Sequence, residues 1–87
     1  MLVDTHAHLQ VKEFEGEEAE VIARSRAADV RVIVIPGITV DSSRKAIEIV
    51  NSEEGMYAAV GVQPNELGDA PADWPVRIRA IAEQPKV

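Results

Sequence analysis

Apolar residues form two kinds of pattern along the chain. Some stand in short continuous runs, and others recur with the spacing of one helix face. The runs occupy the stretches at residues 30–35 and 56–62, whereas the opening residues 2–9 form a short strand pattern that ends in two histidines. The stretch at residues 30–35 contains Val and Ile without polar alternation, which is typical of a parallel-sheet strand that is buried on both faces. We therefore predict three β-strands, at residues 2–9, 30–35 and 56–62.

Between the strands, apolar residues recur three and four positions apart, which is the spacing of one helix face. Residues 16–28, 41–52 and 74–83 are accordingly predicted to be helices. In the first of them, Glu20 and Arg24 are also spaced for an ion pair one helical turn apart. The side chains expected on the buried faces are Ala19, Ile22, Ala23 and Ala27 in the first helix, Ala46, Ile49 and Val50 in the second, and Ile78, Ile81 and Ala82 in the third.

The predicted order is a strand followed by a helix, three times over. Strand starts lie about 25 to 30 residues apart, which predicts parallel βαβ units and an α/β fold. Lys86 and Val87 look like the beginning of a fourth strand. We expect residues 1–87 to be one part of a single domain that is truncated here, because its parallel edges would otherwise lack strand partners.

The composition is that of an ordinary soluble globular protein, with 46% hydrophobic and 28% charged residues. The net charge of −6 argues against a broad basic surface for nucleic acid, so a polyanion would be bound locally, through divalent cations. No cysteine is present, which excludes a thiolate metal site. No stretch approaches the roughly 20 apolar residues of a membrane span, and cytoplasmic residence is the default expectation.

The first predicted strand carries the only two histidines, His6 and His8, two positions apart. Side chains at i and i+2 leave the same face of an extended strand, so both imidazoles are expected to point one way. Neutral imidazole is the commonest metal ligand in proteins, and the pair therefore predicts a metal site at the end of this strand. Asp4 has the same parity, and its carboxylate could accept the free N–H of a ligating imidazole.

Two other interpretations remain open at this point. The segment around the histidines could be a solvated strand end without a bound ion. Ser42 and Ser43, at the start of the second helix, could bind a phosphate group at the helix N-terminus. Capping of free backbone N–H groups by Asp41 or Ser42 is the favoured role there.

Four stretches in order, residues 3–9, 32–37, 41–46 and 58–65, carry a family resemblance. Together they resemble the first third of a TatD-like metal-dependent hydrolase. The Asp-Thr-His-Ala-His motif at residues 4–8 would by itself point only to the broader amidohydrolase superfamily, whereas the ordered set is much more specific. The resemblance implies a TIM-type (β/α)8 barrel of roughly 250 residues, of which this chain would form the first three to four strands.

The resemblance also implies one or two divalent metal ions, with His6 and His8 as the first two ligands. The family's other ligands, a glutamate after the fourth strand, two further histidines and an aspartate, have no counterpart in residues 1–87, and neither has a general base. The chain departs from the family at Gln63 and Asn65, where histidines are typical, and both side chains are expected to line the site. Glutamine does not act as an acid or base near neutral pH, so this departure bears on substrate specificity.

Three functions are compatible with the sequence. The first is a phosphodiesterase or deoxyribonuclease that uses a metal-activated water on DNA, with zinc, manganese, magnesium, iron or cobalt as the metal. The second keeps the fold and metals but cleaves a C–N or lactone ester bond in a small molecule. The third is a non-catalytic α/β domain that binds a partner, or a second copy of itself, through open sheet edges. Residues 1–87 alone are predicted to give no useful turnover, because two imidazoles leave most of a cation's coordination to water.

Overall fold

The computed structural model describes residues 1–87 and contains a parallel three-stranded sheet and three α-helices. The predicted alternation of strand and helix is confirmed. Short 3-10 helices, Lys12–Phe14 and Pro64–Asp69, lie in the connections that follow the first and third strands. The strands are β1 (Leu2–Asp4), β2 (Val30–Pro36) and β3 (Met56–Ala59), and the helices are α1 (Glu18–Ala27), α2 (Val40–Asn51) and α3 (Trp74–Ala82).

Strand β2 lies at the centre of the sheet and pairs in parallel with both β1 and β3. The face packed against the helices holds four residues that are at most 5% exposed, namely Ile33, Ile35, Met56 and Ala58. On the other face Tyr57 remains 46% exposed. The prediction that residues 30–35 form a strand buried on both faces is wrong for this chain, because the helices cover only one side of the sheet and Val32 and Val34 on the other face are only half-buried.

Helix α2 begins at Val40, slightly earlier than predicted, because Thr39 caps it. The Thr39 hydroxyl accepts the Ser42 N–H at 3.0 Å, and Ser42 Oγ accepts the Thr39 N–H at 3.0 Å. This capping box satisfies backbone groups that the helix leaves free. Ser42 therefore has the capping role that the sequence favoured, although Thr39 shares it in place of Asp41.

Helix α1 turns a different face to the sheet from the one predicted. Ile22 is buried as expected, and Val21 and Ser25 beside it are half-buried. Burial of apolar surface stabilises the fold in proportion to its area, so burying Val21 contributes more stability than burying the smaller alanines. The predicted alanines Ala19, Ala23 and Ala27 are exposed.

Side-chain contacts join α1 to the turn between α2 and β3. Arg26 donates to the Glu53 carboxylate at 2.9 Å and to the Glu54 carbonyl at 2.6 Å. The predicted ion pair between Glu20 and Arg24 is not formed. None of the helices is long and apolar enough to cross a membrane.

The last residues turn back toward β3 without forming the predicted fourth strand. The Lys86 carbonyl accepts the Ala58 N–H at 2.8 Å, as a neighbouring strand would, but Lys86 has a left-handed φ of 70°. Its ammonium group donates to the carbonyls of Val50 and Glu53 at the end of α2. A cation is favourable there because it faces the negative end of the helix dipole.

A tight contact joins the segments that follow β2 and β3. Ser43 is fully buried, and its Oγ accepts the Gly61 N–H at 3.2 Å and donates to the Gly61 carbonyl at 3.3 Å. Gly37, immediately after β2, packs on the same serine, where an added Cβ would come within 2.7 Å of the Ser43 Cα. These contacts fix both strand exits relative to α2.

We expect Gly37→Ala to lower the free energy of unfolding by about 1–3 kcal/mol, because the new methyl group would overpack the space that Ser43 fills. Urea unfolding followed by circular dichroism measures this change. Gly68→Ala is the matched control, since a Cβ there meets no atom within 4 Å. Equal unfolding free energies for the two variants would contradict the packing described above.

Candidate metal centre

The histidine segment leaves the sheet sooner than predicted. Strand β1 ends at Asp4, whose Oδ1 accepts the backbone N–H of His6 at 3.0 Å. A carboxylate that accepts the N–H two residues later forms an Asx turn, which competes with strand pairing. One strand hydrogen bond follows the turn, from the Ala7 N–H to the Val34 carbonyl at 3.1 Å. The predicted strand over residues 2–9 is therefore too long.

The two imidazoles nevertheless lie side by side. Their Nε2 atoms are 3.0 Å apart, and the ring centroids are 4.8 Å apart with an angle of 83° between the planes. They flank Ala7, whose N–H donates to the Val34 carbonyl of β2 and so ties the segment to the sheet. His6 is exposed and His8 is half-buried, so a ligand can reach the pair from solvent.

The spacing of the two rings fits two ligands of one cation. Nitrogen ligands lie roughly 2.0–2.1 Å from zinc, so two of them are about 3.3 Å apart in a tetrahedral site and about 2.9 Å apart at a right angle. The observed distance of 3.0 Å falls within this range. The rings can also share one proton in an N–H···N hydrogen bond, so a proton and a cation compete for the same lone pairs.

A full set of metal ligands is not assembled by this chain. No cluster of three or more His, Cys, Asp or Glu side chains suited to a metal ion is present. Asp4, expected to orient an imidazole through its ring N–H, bonds to the backbone of His6 instead. Catalytic zinc sites use three protein ligands, so His6 and His8 do not complete such a site by themselves.

Gln63 and Asn65 follow β3 at the edge of the sheet where the histidines follow β1. The Gln63 N–H donates to the Ile38 carbonyl at 2.9 Å, and its Nε2 donates to Glu66 Oε1 at 3.4 Å. Asn65 is exposed in the 3-10 helix that begins at Pro64. Neither side chain is hydrogen-bonded to a histidine, although both stand at the edge where parallel α/β barrels place their active sites.

Gln10 is not among the candidate site residues that the sequence predicts. Gln10 is only 5% exposed, and its Nε2 donates to the Pro36 carbonyl at 2.8 Å. The one signal near it is Leu9, a core residue that is also 5% exposed. A lone apolar residue does not indicate that the polar residue after it is buried.

Two carboxyl groups have shifted pKa values, and neither contacts the histidines. The N-terminal ammonium, 3.0 Å away, and then Arg31 lower the pKa of Asp29 at the opposite edge of the sheet. A hydrogen bond from Arg77 lowers the pKa of Asp73 before α3. Both are exposed ion pairs, which contribute little to stability.

The sequence matches the family model described as TatD related DNase over residues 3–87. The uncharacterized metal-dependent hydrolase YabD of Bacillus subtilis (strain 168) is 32% identical over 87 residues. The 3'-5' ssDNA/RNA exonuclease TatD of Cronobacter sakazakii is 28% identical over 86 residues. These matches cover 100% and 99% of this chain but 34% and 33% of the relatives, so the chain spans about a third of their length.

A solved structure shows the same fold. The crystal structure of YjjV, a TatD homolog from Escherichia coli K12, matches with a TM-score of 0.86 at 22% sequence identity. The match covers 99% of this chain and 33% of that one. The predicted fold class, parallel (β/α) units of a TIM-type barrel, is therefore confirmed.

We expect the chain to bind Co²⁺ or Zn²⁺ weakly, and His6→Gln combined with His8→Gln to remove that binding, because two of the ligands are lost. Titration calorimetry measures the affinity, and Lys12→Gln, an exposed change in the next turn, is the control. A double variant that binds as well as the control would contradict the site. If the chain is instead a non-catalytic binding domain, its melting temperature should be the same with and without a chelator.

Proposed function

Because the chain belongs to the family of TatD-related DNases, we propose that it forms the first third of a barrel that hydrolyses phosphodiester bonds with a divalent metal. The observation that supports this most directly is the pair of imidazole nitrogens 3.0 Å apart beyond the end of β1. In α/β barrels the catalytic groups stand at that edge of the strands. Two convergent nitrogen donors there favour metal chemistry over a purely structural role.

In this proposal His6 and His8 hold one cation, and the Asx turn at Asp4 fixes the backbone that carries them. A bound divalent cation would polarise a phosphoryl oxygen and lower the pKa of water near it. Imidazole accepts several divalent metals, so zinc, manganese, iron and cobalt are all suitable, and magnesium becomes so once carboxylates join the site. One or two cations fit the proposal.

Single-stranded DNA is the proposed substrate. Relatives named as 3'-5' ssDNA/RNA exonucleases support this choice. The chain has a net charge of −6, so bound cations, more than its own side chains, would attract phosphate. Gln63 and Asn65, at the same edge of the sheet, can donate and accept hydrogen bonds to a nucleotide.

A second candidate reaction is cleavage of a C–N or lactone bond on the same fold. The observation that favours it is Gln63, which is an amide where the family has an imidazole and which already bonds to Glu66. Without a titrating group at this position, chemistry that depends on an imidazole there is lost. Assays on single-stranded DNA and on a panel of amides and lactones separate the two reactions.

We expect the complete protein, given Mn²⁺ or Mg²⁺, to shorten single-stranded DNA from its 3' end. His6→Gln and His8→Gln should each lower the rate by at least roughly 100-fold, because even partners that only orient metal ligands contribute 10–100-fold. Residues 1–87 alone should show no turnover. Gel analysis of end-labelled DNA measures the rates, with Lys12→Gln as the control.

A parallel assay uses a panel of amides and lactones with the same metals. Activity confined to that panel would contradict the nuclease proposal and support the second candidate. Unchanged DNA cleavage in both histidine variants would contradict the metal site itself.

A further inference from the structure

Gln10 is one of only two polar residues that the chain buries almost completely, the other being Ser43. It lies two positions after His8, at the point where the histidine segment returns to the core through Leu9. Burial of a carboxamide is unfavourable unless it makes hydrogen bonds. The one hydrogen bond of the Gln10 side chain therefore indicates which interaction keeps it buried.

The Gln10 side chain takes the place of a strand hydrogen bond. In a parallel ladder the N–H groups of one strand bond to every second carbonyl of the next, so the acceptor after Val34 is Pro36. The Leu9 N–H would reach it in a continuous strand, but it bonds back to the Ala7 carbonyl at 3.0 Å. Gln10 Nε2 donates to the Pro36 carbonyl instead, at 2.8 Å.

The other end of the carboxamide makes no hydrogen bond. Gln10 Oε1 is buried and has no partner, which is rare for a buried polar atom. Rotating the group by 180° would bring this oxygen against the Pro36 carbonyl, which is only an acceptor. The donor end of Gln10 is therefore the part that the fold uses.

We propose that Gln10 is a positioning residue for the histidine pair. Its bond to Pro36 closes the turn that begins at the Ala7 ladder contact, and so it holds both imidazoles beyond the end of β1 and beside β2. Partners that orient ligands without touching the metal typically change metal affinity 10–100-fold. The consequence for metal affinity rests on the proposed function, whereas the effect on ring geometry does not.

The test introduces Gln10→Met into the complete protein. This substitution keeps the length of the side chain but removes both its hydrogen-bond donor and its unpartnered oxygen. Gln84→Met, at an exposed glutamine, is the matched control. Three quantities are measured: the through-space NMR contact between the His6 and His8 rings without added metal, the Co²⁺ affinity by visible absorption, and the urea midpoint. The ring signals are assigned with His6→Gln and His8→Gln.

We expect Gln10→Met to lose the ring contact and to bind Co²⁺ roughly tenfold more weakly, or worse, than Gln84→Met. Its urea midpoint should stay close to that of the control, because losing the Pro36 bond and removing the unpartnered oxygen have opposite effects. A ring contact and affinity equal to the control would overturn the proposal. A lowered midpoint with the ring contact kept would also overturn it, since Gln10 would then serve packing alone.

Gln10→Asn is a second test variant in case Gln10→Met does not fold. Its carboxamide is one methylene shorter and falls short of the Pro36 carbonyl, so we again expect the ring contact to weaken, and an unchanged contact would overturn the proposal. If the unaltered protein binds no Co²⁺, the proposed function fails. The ring contact still decides the role of Gln10 in that case.

Discussion

The parallel pairing of β2 with β1 and β3 brings the candidate site residues of this chain to one edge of the sheet. Because the three strands run in one direction, their carboxyl ends meet at one edge, and the residues that follow them become neighbours there. Two backbone hydrogen bonds extend the alignment past the strand ends, from Ala7 to Val34 at 3.1 Å and from Gly37 to Ala59 at 2.7 Å. The four candidate site residues His6, His8, Gln63 and Asn65 are thus gathered at this edge without being placed in the core.

Two buried polar side chains hold this edge together where strand pairing ceases. Ser43 bonds to both backbone groups of Gly61 and leaves no space for a side chain at Gly37. Gln10 bonds to the carbonyl of Pro36 on the other side of β2. The core below them is aliphatic and non-directional, so such hydrogen bonds, more than the apolar packing, set the geometry of the loops.

Spacing in the sequence was sufficient to predict the order of elements, part of the buried face of α2 (Ala46 and Val50) and the convergence of His6 with His8, because each depends on residues a few positions apart. The buried Ile47 of α2 was missed, and the predicted Ile49 is only half-buried. The face of α1 was not predictable from spacing, since the alanines have the right period but less apolar surface than Val21. The bond from Gln10 to Pro36 spans 26 residues, and no local pattern announces it. The Asx turn at Asp4 shortened β1 for a similar reason, because one carboxylate decided between two backbone conformations.

The strand order β1-β2-β3 bears on how the molecule is made. Each strand pairs with its neighbour along the chain, so no strand pairing within residues 1–87 joins remote segments. Loop closure between such neighbours is less costly than between remote segments. Within residues 1–87 the sheet therefore needs only short loop closures, one for each βα unit.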